Sequence, residues 1–204
     1  MKRILALLLL LCGIAAAQTD LLPVGSKEAE PFIEGGHSVA GGRGNSGIFE
    51  AGLRFGYSFL TVPKGTLEYS VDLVPVTYIT QKQNAYGAGF TPFNLKYNFT
   101  HFHRVVPYLE LGGGVLFTNH DVPDGTNSVN FTPQAGIGFH FPVKRGSNKH
   151  IGLALRYIHI SNAGLSVPNP GVNTIQIKLS VGHYCSPKSD TYNDQTSKCS
   201  WVHY

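Results

Sequence analysis

The sequence predicts an all-β protein, specifically an eight-stranded antiparallel transmembrane β-barrel. Only 14 % of its 204 residues are charged and 24 are glycine, whereas about 25 % of a soluble domain is charged. Between residues 30 and 184, segments separated by Gly, Pro, Asn and Asp alternate apolar with polar side chains, as half-buried strands do. The polar face carries charges of both signs among many glycines, and this pattern is typical of strands with lipid on one side and a polar lumen on the other.

The same composition excludes other classes of protein. A chain with 42 % hydrophobic residues and a formal charge of +4 is too apolar and too weakly charged to be disordered. No run of five or more Lys or Arg indicates a nucleic-acid partner. One apolar stretch, at the N-terminus, is long enough to be considered as a membrane-spanning helix, which excludes a polytopic helical membrane protein.

The N-terminal stretch is interpreted as a secretory signal peptide, residues 1–17, that is cleaved on export. Lys2 and Arg3 precede an apolar run, and Ala15 and Ala17 provide the small residues of a cleavage site. Cys12 follows a leucine instead of the small residue usual at lipoprotein sites. Residues 18–29 are expected to form an N-terminal periplasmic segment before the barrel, which spans residues 30–184 in the outer membrane.

Eight strands are predicted in the barrel, and in all except the weaker first one the odd-numbered positions carry the larger apolar side chains. Their approximate ranges are 31–39, 49–59, 67–73, 93–99, 109–117, 131–141, 151–158 and 174–181. The even-numbered face includes the charged residues Glu50, Arg54, Glu68, Asp72, Lys96, Glu110, Arg156 and Lys178. Eight strands enclose a lumen that side chains fill, so we expect glycines to make room and opposite charges to neutralise one another there. An exported lipocalin-like barrel or sandwich domain is the alternative.

A polar tail, residues 185–204, follows the last strand. Cys185 and Cys199 are the two cysteines left after export, and they are expected to form a disulfide, which chain-entropy models credit with about 3 kcal/mol. His183 and His203 do not complete a recognised metal-ligand spacing with them.

His159 and Ser161 interrupt the apolar row at the end of the seventh predicted strand. Two residues apart on a strand, they project from the same face about 7 Å from each other. One interpretation is a polar fringe at the water boundary. The other is a general base that activates a serine nucleophile against esters in the surrounding lipid.

A longer motif begins at this histidine. The run HISNAGLSVPNPG, from His159 to Gly171, resembles the signature of the PagL-like lipid A 3-O-deacylases, and PYLELGGGVLFT and NFTPQAGIGF upstream support the resemblance. The resemblance implies an eight-stranded outer-membrane barrel that hydrolyses the 3-O-acyl ester of lipid A at its outer surface. By the same resemblance, His159 is the general base and Ser161 the nucleophile, and the residues near the oxyanion are Asn162, Gly164 and Asn169.

The position of the family's acid, fourteen residues after the histidine, is Asn173 here. An amide can accept a hydrogen bond from the imidazole and fix its tautomer, but it cannot stabilise imidazolium by charge. Three outcomes are considered: an enzyme built around Asn173, an acid supplied from elsewhere such as Glu34, or an inactive descendant.

The expected partners are lipopolysaccharide as substrate and the outer membrane, and a homodimer is left open. Neither a cofactor nor a metal is expected. Lys82, Lys144, Arg145 and Lys149 are candidates for lipid A phosphates only if they lie at the outer end, and the hairpin at 145–149 is expected at the periplasmic end. The alternatives to the enzyme are a non-catalytic barrel with a structural or adhesion role and an exported soluble hydrolase.

Overall fold

A computed structural model describes residues 22–39, 45–102, 104–144 and 147–187. The proposed signal peptide, residues 18–21, residue Cys199 and most of the polar tail lie outside these ranges, so the cleavage and the Cys185–Cys199 disulfide stay predictions. The described part of the chain has no helix with the length and apolar character needed to cross a membrane. Its strands are β1 (Lys27–Val39), β2 (Gly47–Val62), β3 (Gly65–Thr80), β4 (Ala85–Asn98), β5 (Val106–Thr118), β6 (Val129–Phe131), β7 (Gln134–Pro142), β8 (Lys149–Ile160) and β9 (Val172–Cys185).

The sheet closes on itself through antiparallel pairs. Each strand pairs with its neighbour in the chain, and β1 pairs with β9 to close the ring. The short β6 and β7 both pair with β5, so they are two segments of one barrel strand, interrupted at Thr132 and Pro133. The prediction of an eight-stranded antiparallel barrel is confirmed. One boundary differs, because Lys27 and Ala29 already pair with β9, and residues 27–29 therefore belong to the barrel instead of the preceding segment.

The two faces of the sheet separate apolar from polar side chains. On β8, the outward-facing Ile151 and Leu155 are 50 % and 47 % exposed. Ala154 and Arg156, on either side of Leu155, face inward and are 3 % and 2 % exposed. The same alternation places large apolar residues on the outer face of the other long strands. Exposed apolar area on this scale suits hydrocarbon, in which only a closed sheet satisfies every backbone group. The soluble sandwich alternative does not account for it.

Charged side chains cross the middle of the lumen and pair there. Arg54 donates to both oxygens of Asp72 at 2.7 and 2.8 Å and to Glu110 at 2.7 Å. Arg156 lies 2.6 Å from Glu34 and 2.9 Å from the second oxygen of Glu110. These bonds cross the barrel and tie β1, β2, β3, β5 and β8 together. The predicted inward position and mutual neutralisation of these charges are confirmed.

Lumen packing also depends on small residues and on an apolar layer. A Cβ on Gly138 would lie 2.3 Å from the ring of Tyr108, so only glycine at this position leaves room for the ring to lie over β7. Near the end of the lumen away from Tyr108, eight residues from strands and loops form a buried apolar cluster: Ile48, Ile79, Ala85, Leu116, Val122, Ile158, Ile160 and Val172.

Antiparallel order assigns each connection to one end of the barrel. The segments 81–84, 119–128 and 161–171 lie at one end, which we call the loop end. The connections at 63–64, 99–105 and 143–148 lie at the other end, which we call the terminal end, with the start of β1 and the end of β9. Lys82 therefore lies at the loop end, while Lys144 and Lys149 lie at the terminal end, as expected; Arg145 lies outside the described residues.

Replacing Arg54 by methionine removes the cation shared by Asp72 and Glu110. We expect Arg54→Met to lower the free energy of unfolding by about 3–5 kcal/mol, because Asp72 loses its bidentate partner and Glu110 loses one of its two cations. Urea titration of the protein in detergent micelles, followed by gel mobility of the folded barrel, measures this change. Lys64→Met, in the exposed 63–64 turn, is the control and should stay within about 0.5 kcal/mol of the parent. An unchanged midpoint for Arg54→Met would show that the network does not stabilise the barrel.

Candidate active site

The β8–β9 hairpin brings a histidine and an asparagine together on the outer face. His159 and Asn173 lie opposite each other in the strand register. The imidazole Nδ1 is 2.6 Å from the side-chain oxygen of Asn173. Their neighbours Ile160 and Val172 point inward into the apolar cluster. Burial of these two apolar side chains orients the intervening positions outward, because successive side chains of a strand alternate.

Ser161 continues the row of His159 and is fixed by main-chain bonds to a neighbouring strand. Its N–H and C=O both pair with Phe131, at 3.1 and 2.7 Å. The N–H of His159 donates to the carbonyl of Pro133 at 3.0 Å, within the interruption between β6 and β7. Ser161 is 8 % exposed. Within the described part of the chain, the Ser161 hydroxyl has no recorded hydrogen bond to His159, and such catalytic contacts are commonly loose before substrate binds.

Three predicted residues form the start of the following loop and bond to one another. The N–H of Asn162 donates to the side-chain oxygen of Asn169 at 3.1 Å, and the N–H of Gly164 donates to Asn162 Oδ1 at 2.9 Å. Asn162 Nδ2 donates to Ser166 Oγ at 2.9 Å. The donors of Asn162 and Gly164 are therefore used inside the loop. Asn169 is exposed, and its Nδ2 makes no hydrogen bond within the described ranges, so it can still bind an anion.

Ser166 joins this loop to the neighbouring one. Its hydroxyl accepts from Asn127 Nδ2 at 3.2 Å and lies 3.4 Å from the carbonyl of Thr126. The 119–128 loop is in turn bonded to the 81–84 turn through Gln81 and Asp121, at 2.7 Å. Three connections at the loop end thus support one another, and this chain of bonds holds the loop that carries Asn169. The sequence analysis did not identify Ser166, because its partner lies 39 residues away.

Gly171, the last residue of the motif, also contributes to the site, and this contribution was not predicted from the sequence. Its φ is +64°, and a Cβ there would lie 2.6 Å from Cε1 of His159. The backbone of Gly171 therefore packs directly against the imidazole and holds the ring towards Asn173. The glycine itself and its terminal position in the motif were the available sequence signals.

Glu34 does not lie near this site. Its carboxylate is inside the barrel, 2.6 Å from Arg156, because it occupies an inward position on β1. The alternative in which Glu34 supplies the acid is therefore wrong. Apart from Asn173, the described residues place no other polar partner within hydrogen-bonding distance of His159 Nδ1.

An apolar groove runs along the outer face beside the site. It is lined by residues of β5, β7, β8 and β9, including Ala135, Ile137, Leu155, Tyr157 and Ile175. Tyr157 and Ile175 are each two residues from the His159–Asn173 pair, on the same outward rows. The small side chain of Ala135 leaves space between larger neighbours, and an extended hydrocarbon chain can lie in such a depression.

The arrangement combines a histidine oriented by an amide oxygen, a nearby serine, an amide donor and a lipid-facing apolar groove. With Nδ1–H donated to Asn173, the neutral imidazole presents Nε2 as a proton acceptor. These are the parts that acyl transfer from an ester requires.

Comparison with known proteins gives a family match and several structural matches. The family model of PagL, lipid A 3-O-deacylase, matches residues 49–182. The crystal structure of the outer membrane enzyme PagL is similar at a TM-score of 0.58 and 22 % identity, covering 74 % of this chain and 97 % of that one. The N-terminal β-barrel domain of Pseudomonas aeruginosa OprF gives 0.49 and 16 %, covering 79 % and 98 %. Ail of Yersinia pestis gives 0.49 and 11 %, covering 79 % and 99 %. No match is found among curated proteins.

Gly171→Ala tests whether the loop backbone positions the imidazole. We expect the added methyl group to displace the ring and break the His159–Asn173 hydrogen bond, since it would lie 2.6 Å from Cε1. The Nδ1–H resonance of His159, measured by NMR in micelles, should then disappear or shift. Gly164→Ala is the matched control, because that position also has positive φ, +82°, but nothing lies within 4 Å of the added carbon. An unaltered His159 resonance in Gly171→Ala would show that the ring is held by other contacts.

Proposed function

Because the chain belongs to the PagL family of lipid A 3-O-deacylases, we propose that it hydrolyses the ester-linked 3-O-acyl chain of lipid A in the bacterial outer membrane. The observation that carries this proposal is the hydrogen-bonded pair of His159 and Asn173 beside Ser161, on the outward face at the loop end. A lipid ester can reach that face from the surrounding leaflet without entering the lumen. The charged side chains that fill the lumen leave no comparable route for an acyl chain.

In the proposed reaction Ser161 is the nucleophile and His159 the general base. The hydroxyl oxygen attacks the ester carbonyl while its proton passes to Nε2 of His159. The imidazolium then gives this proton to the departing sugar oxygen, and an acyl-enzyme remains. Water, deprotonated by the same nitrogen, attacks the acyl-enzyme, restores Ser161 and releases the free fatty acid.

A tetrahedral oxyanion forms in both steps and requires a donor. Asn169 Nδ2 fits this role, since its side-chain oxygen is held by the Asn162 N–H at 3.1 Å and its nitrogen faces away from that bond. One well-placed donor contributes about 2.7–4 kcal/mol to the transition state. Asn162 and Gly164 act by holding the loop, because their donors are engaged there.

Asn173 replaces the carboxylate in its orienting function. Its oxygen fixes the tautomer that leaves Nε2 free for proton transfer, as an asparagine does in Cys-His-Asn enzymes. The adjacent apolar groove is suited to the acyl chain, and Lys82 is a basic residue at the same end of the barrel that suits a lipid A phosphate.

Ser161→Ala and His159→Gln test the proposed chemistry. Each should lower the rate of deacylation by about 10⁴-fold or more, because members of such a site act as a unit. The parent protein in detergent micelles is incubated with lipopolysaccharide, and mass spectrometry follows the loss of one hydroxyacyl group from lipid A. Ser147→Ala, in the 143–148 connection at the opposite end, is the control and should retain full activity.

Two results would contradict the proposal in different ways. Undiminished turnover by Ser161→Ala would exclude Ser161 as the nucleophile. Unchanged lipid A after incubation with the folded parent protein would favour the alternative of a non-catalytic barrel with a structural or adhesion role.

Asn173→Leu removes the oxygen that accepts from the imidazole. We expect turnover to fall by up to about 10⁴-fold, as expected for a mispositioned tautomer, while KM changes little. Asn173→Glu restores a carboxylate and should change turnover only modestly if the amide already orients the ring. A large gain in Asn173→Glu would instead reveal a weakened site in the parent, and full activity of Asn173→Leu would exclude an orienting role.

A further inference from the structure

Two histidines and two glutamates meet inside the barrel, away from the proposed active site. Glu28 and Glu30 come from β1, His140 from β7 and His150 from β8, at the terminal end of the lumen. All four are at most 4 % exposed. One potential ligand atom from each lies within 4.8 Å of all the others.

Three of the distances between these atoms are close to the edge length of a tetrahedral zinc site. Glu30 Oε2 lies 3.3 Å from His140 Nε2 and 3.4 Å from His150 Nε2, and Glu28 Oε1 lies 3.4 Å from His150 Nε2. Bonds of 2.0–2.2 Å from Zn²⁺ to nitrogen and oxygen place tetrahedral ligands about 3.3–3.6 Å apart. The contact of His150 with Glu30 at 3.4 Å is a long hydrogen bond, whereas hydrogen bonds between charged imidazole and carboxylate are about 2.7–2.9 Å.

Two of the four inward-facing atoms are unsatisfied within the described part of the chain. His140 Nε2 and Glu28 Oε1 are buried and have no hydrogen-bond partner there. Each is aimed into the cluster, as its shortest recorded contacts show. Buried polar atoms without partners are rare in native proteins and require an explanation. A bound cation explains both.

The outer atoms of the same residues are already held. Glu28 uses its other oxygen to bind Lys96 at 2.7 Å, and Glu30 uses its other oxygen to contact Lys178 at 2.6 Å. His140 Nδ1 is hydrogen bonded to the hydroxyl of Tyr184. Such outer contacts orient metal ligands and fix the tautomer of a ligating histidine. Three of the four side chains are thus positioned with the ligand atom turned inward.

The formal charge of the lumen also favours a cation. The buried side chains of the described strands include seven carboxylates, namely Glu28, Glu30, Glu34, Glu50, Glu68, Asp72 and Glu110. They also include four cations, namely Arg54, Lys96, Arg156 and Lys178. Buried acidic groups thus outnumber the buried Lys and Arg side chains by three. Burying carboxylates is costly unless positive charge compensates them, and a divalent ion beside Glu28 and Glu30 supplies such charge.

We propose that Glu28, Glu30, His140 and His150 bind one Zn²⁺ ion through Oε1, Oε2, Nε2 and Nε2 respectively. The donor set of imidazole and carboxylate, all four positions filled by protein, is that of a structural zinc site. The ion joins β1, β7 and β8 at the terminal end. Leu22, Val106 and Tyr184 form a buried apolar cluster there, and the Tyr184–His140 bond places this cluster beside the ion.

Metal content and metal position in the folded protein test the proposal. The chain is folded into detergent micelles in the presence of a chelator, divided, supplied with Zn²⁺ or with no metal, and desalted. We expect about one zinc per chain by elemental mass spectrometry and a higher melting temperature with zinc. We also expect an anomalous diffraction peak between the four ligands. Substitution by Co²⁺ should give the visible absorption of a tetrahedral nitrogen and oxygen site.

His140→Gln and His150→Gln should each lower the zinc content at least tenfold. His101→Gln is the control, because His101 is exposed and lies outside the cluster. The Co²⁺ spectrum and the anomalous peak need only the parent chain, so they decide the question even if a variant fails to fold. Folded parent protein that retains no zinc, an anomalous peak elsewhere, or undiminished zinc in a folded His140→Gln variant would overturn the proposal. Activity on lipopolysaccharide is not the readout, so the zinc site and the proposed function can fail independently.

Discussion

Closure of the sheet is the constraint on which the rest of this structure depends. Hydrocarbon offers no hydrogen bonds, so β1 must pair with β9 as well as β2, and every strand then has one lipid face and one lumen face. Charges that the sequence places on even positions must be satisfied within a narrow lumen. Arg54 and Arg156 do this by bonding across the barrel to carboxylates of other strands. The polar lumen in turn leaves the outer surface as the face that contacts lipid.

The proposed active site is a local exception on that outer surface. His159, Ser161 and Asn173 occupy positions where neighbouring strands present large apolar residues, and their orientation follows from inward packing of Ile160 and Val172. Their precision comes from the surrounding loops, which are linked through Ser166 and Gln81. The apolar cluster below the loops supports them, since Val122 belongs to both a loop and that cluster.

The sequence predicts features that repeat along a strand or fall within one hairpin, and it does not predict contacts between strands that are distant in the chain. Alternation is visible along each strand, so the strand number, the two faces and the approach of Asn173 to His159 follow from the chain order. Glu34 was considered as an acid although its parity directs it inward to Arg156. The grouping of Glu30 with His150, 120 residues apart, is created by the closing pair of strands and has no local signal. The engagement of Asn162 within its own loop likewise required side-chain geometry.

Main-chain hydrogen bonds hold Ser161 and His159 against Phe131 and Pro133. The positions of Ser161 and His159 therefore do not depend on the side chains at 131 and 133. Any amino acid except proline at position 131 supplies the same amide and carbonyl, and any amino acid at position 133 supplies the same carbonyl. The strands therefore tolerate side-chain substitutions at positions 131 and 133 while Ser161 and His159 stay in position.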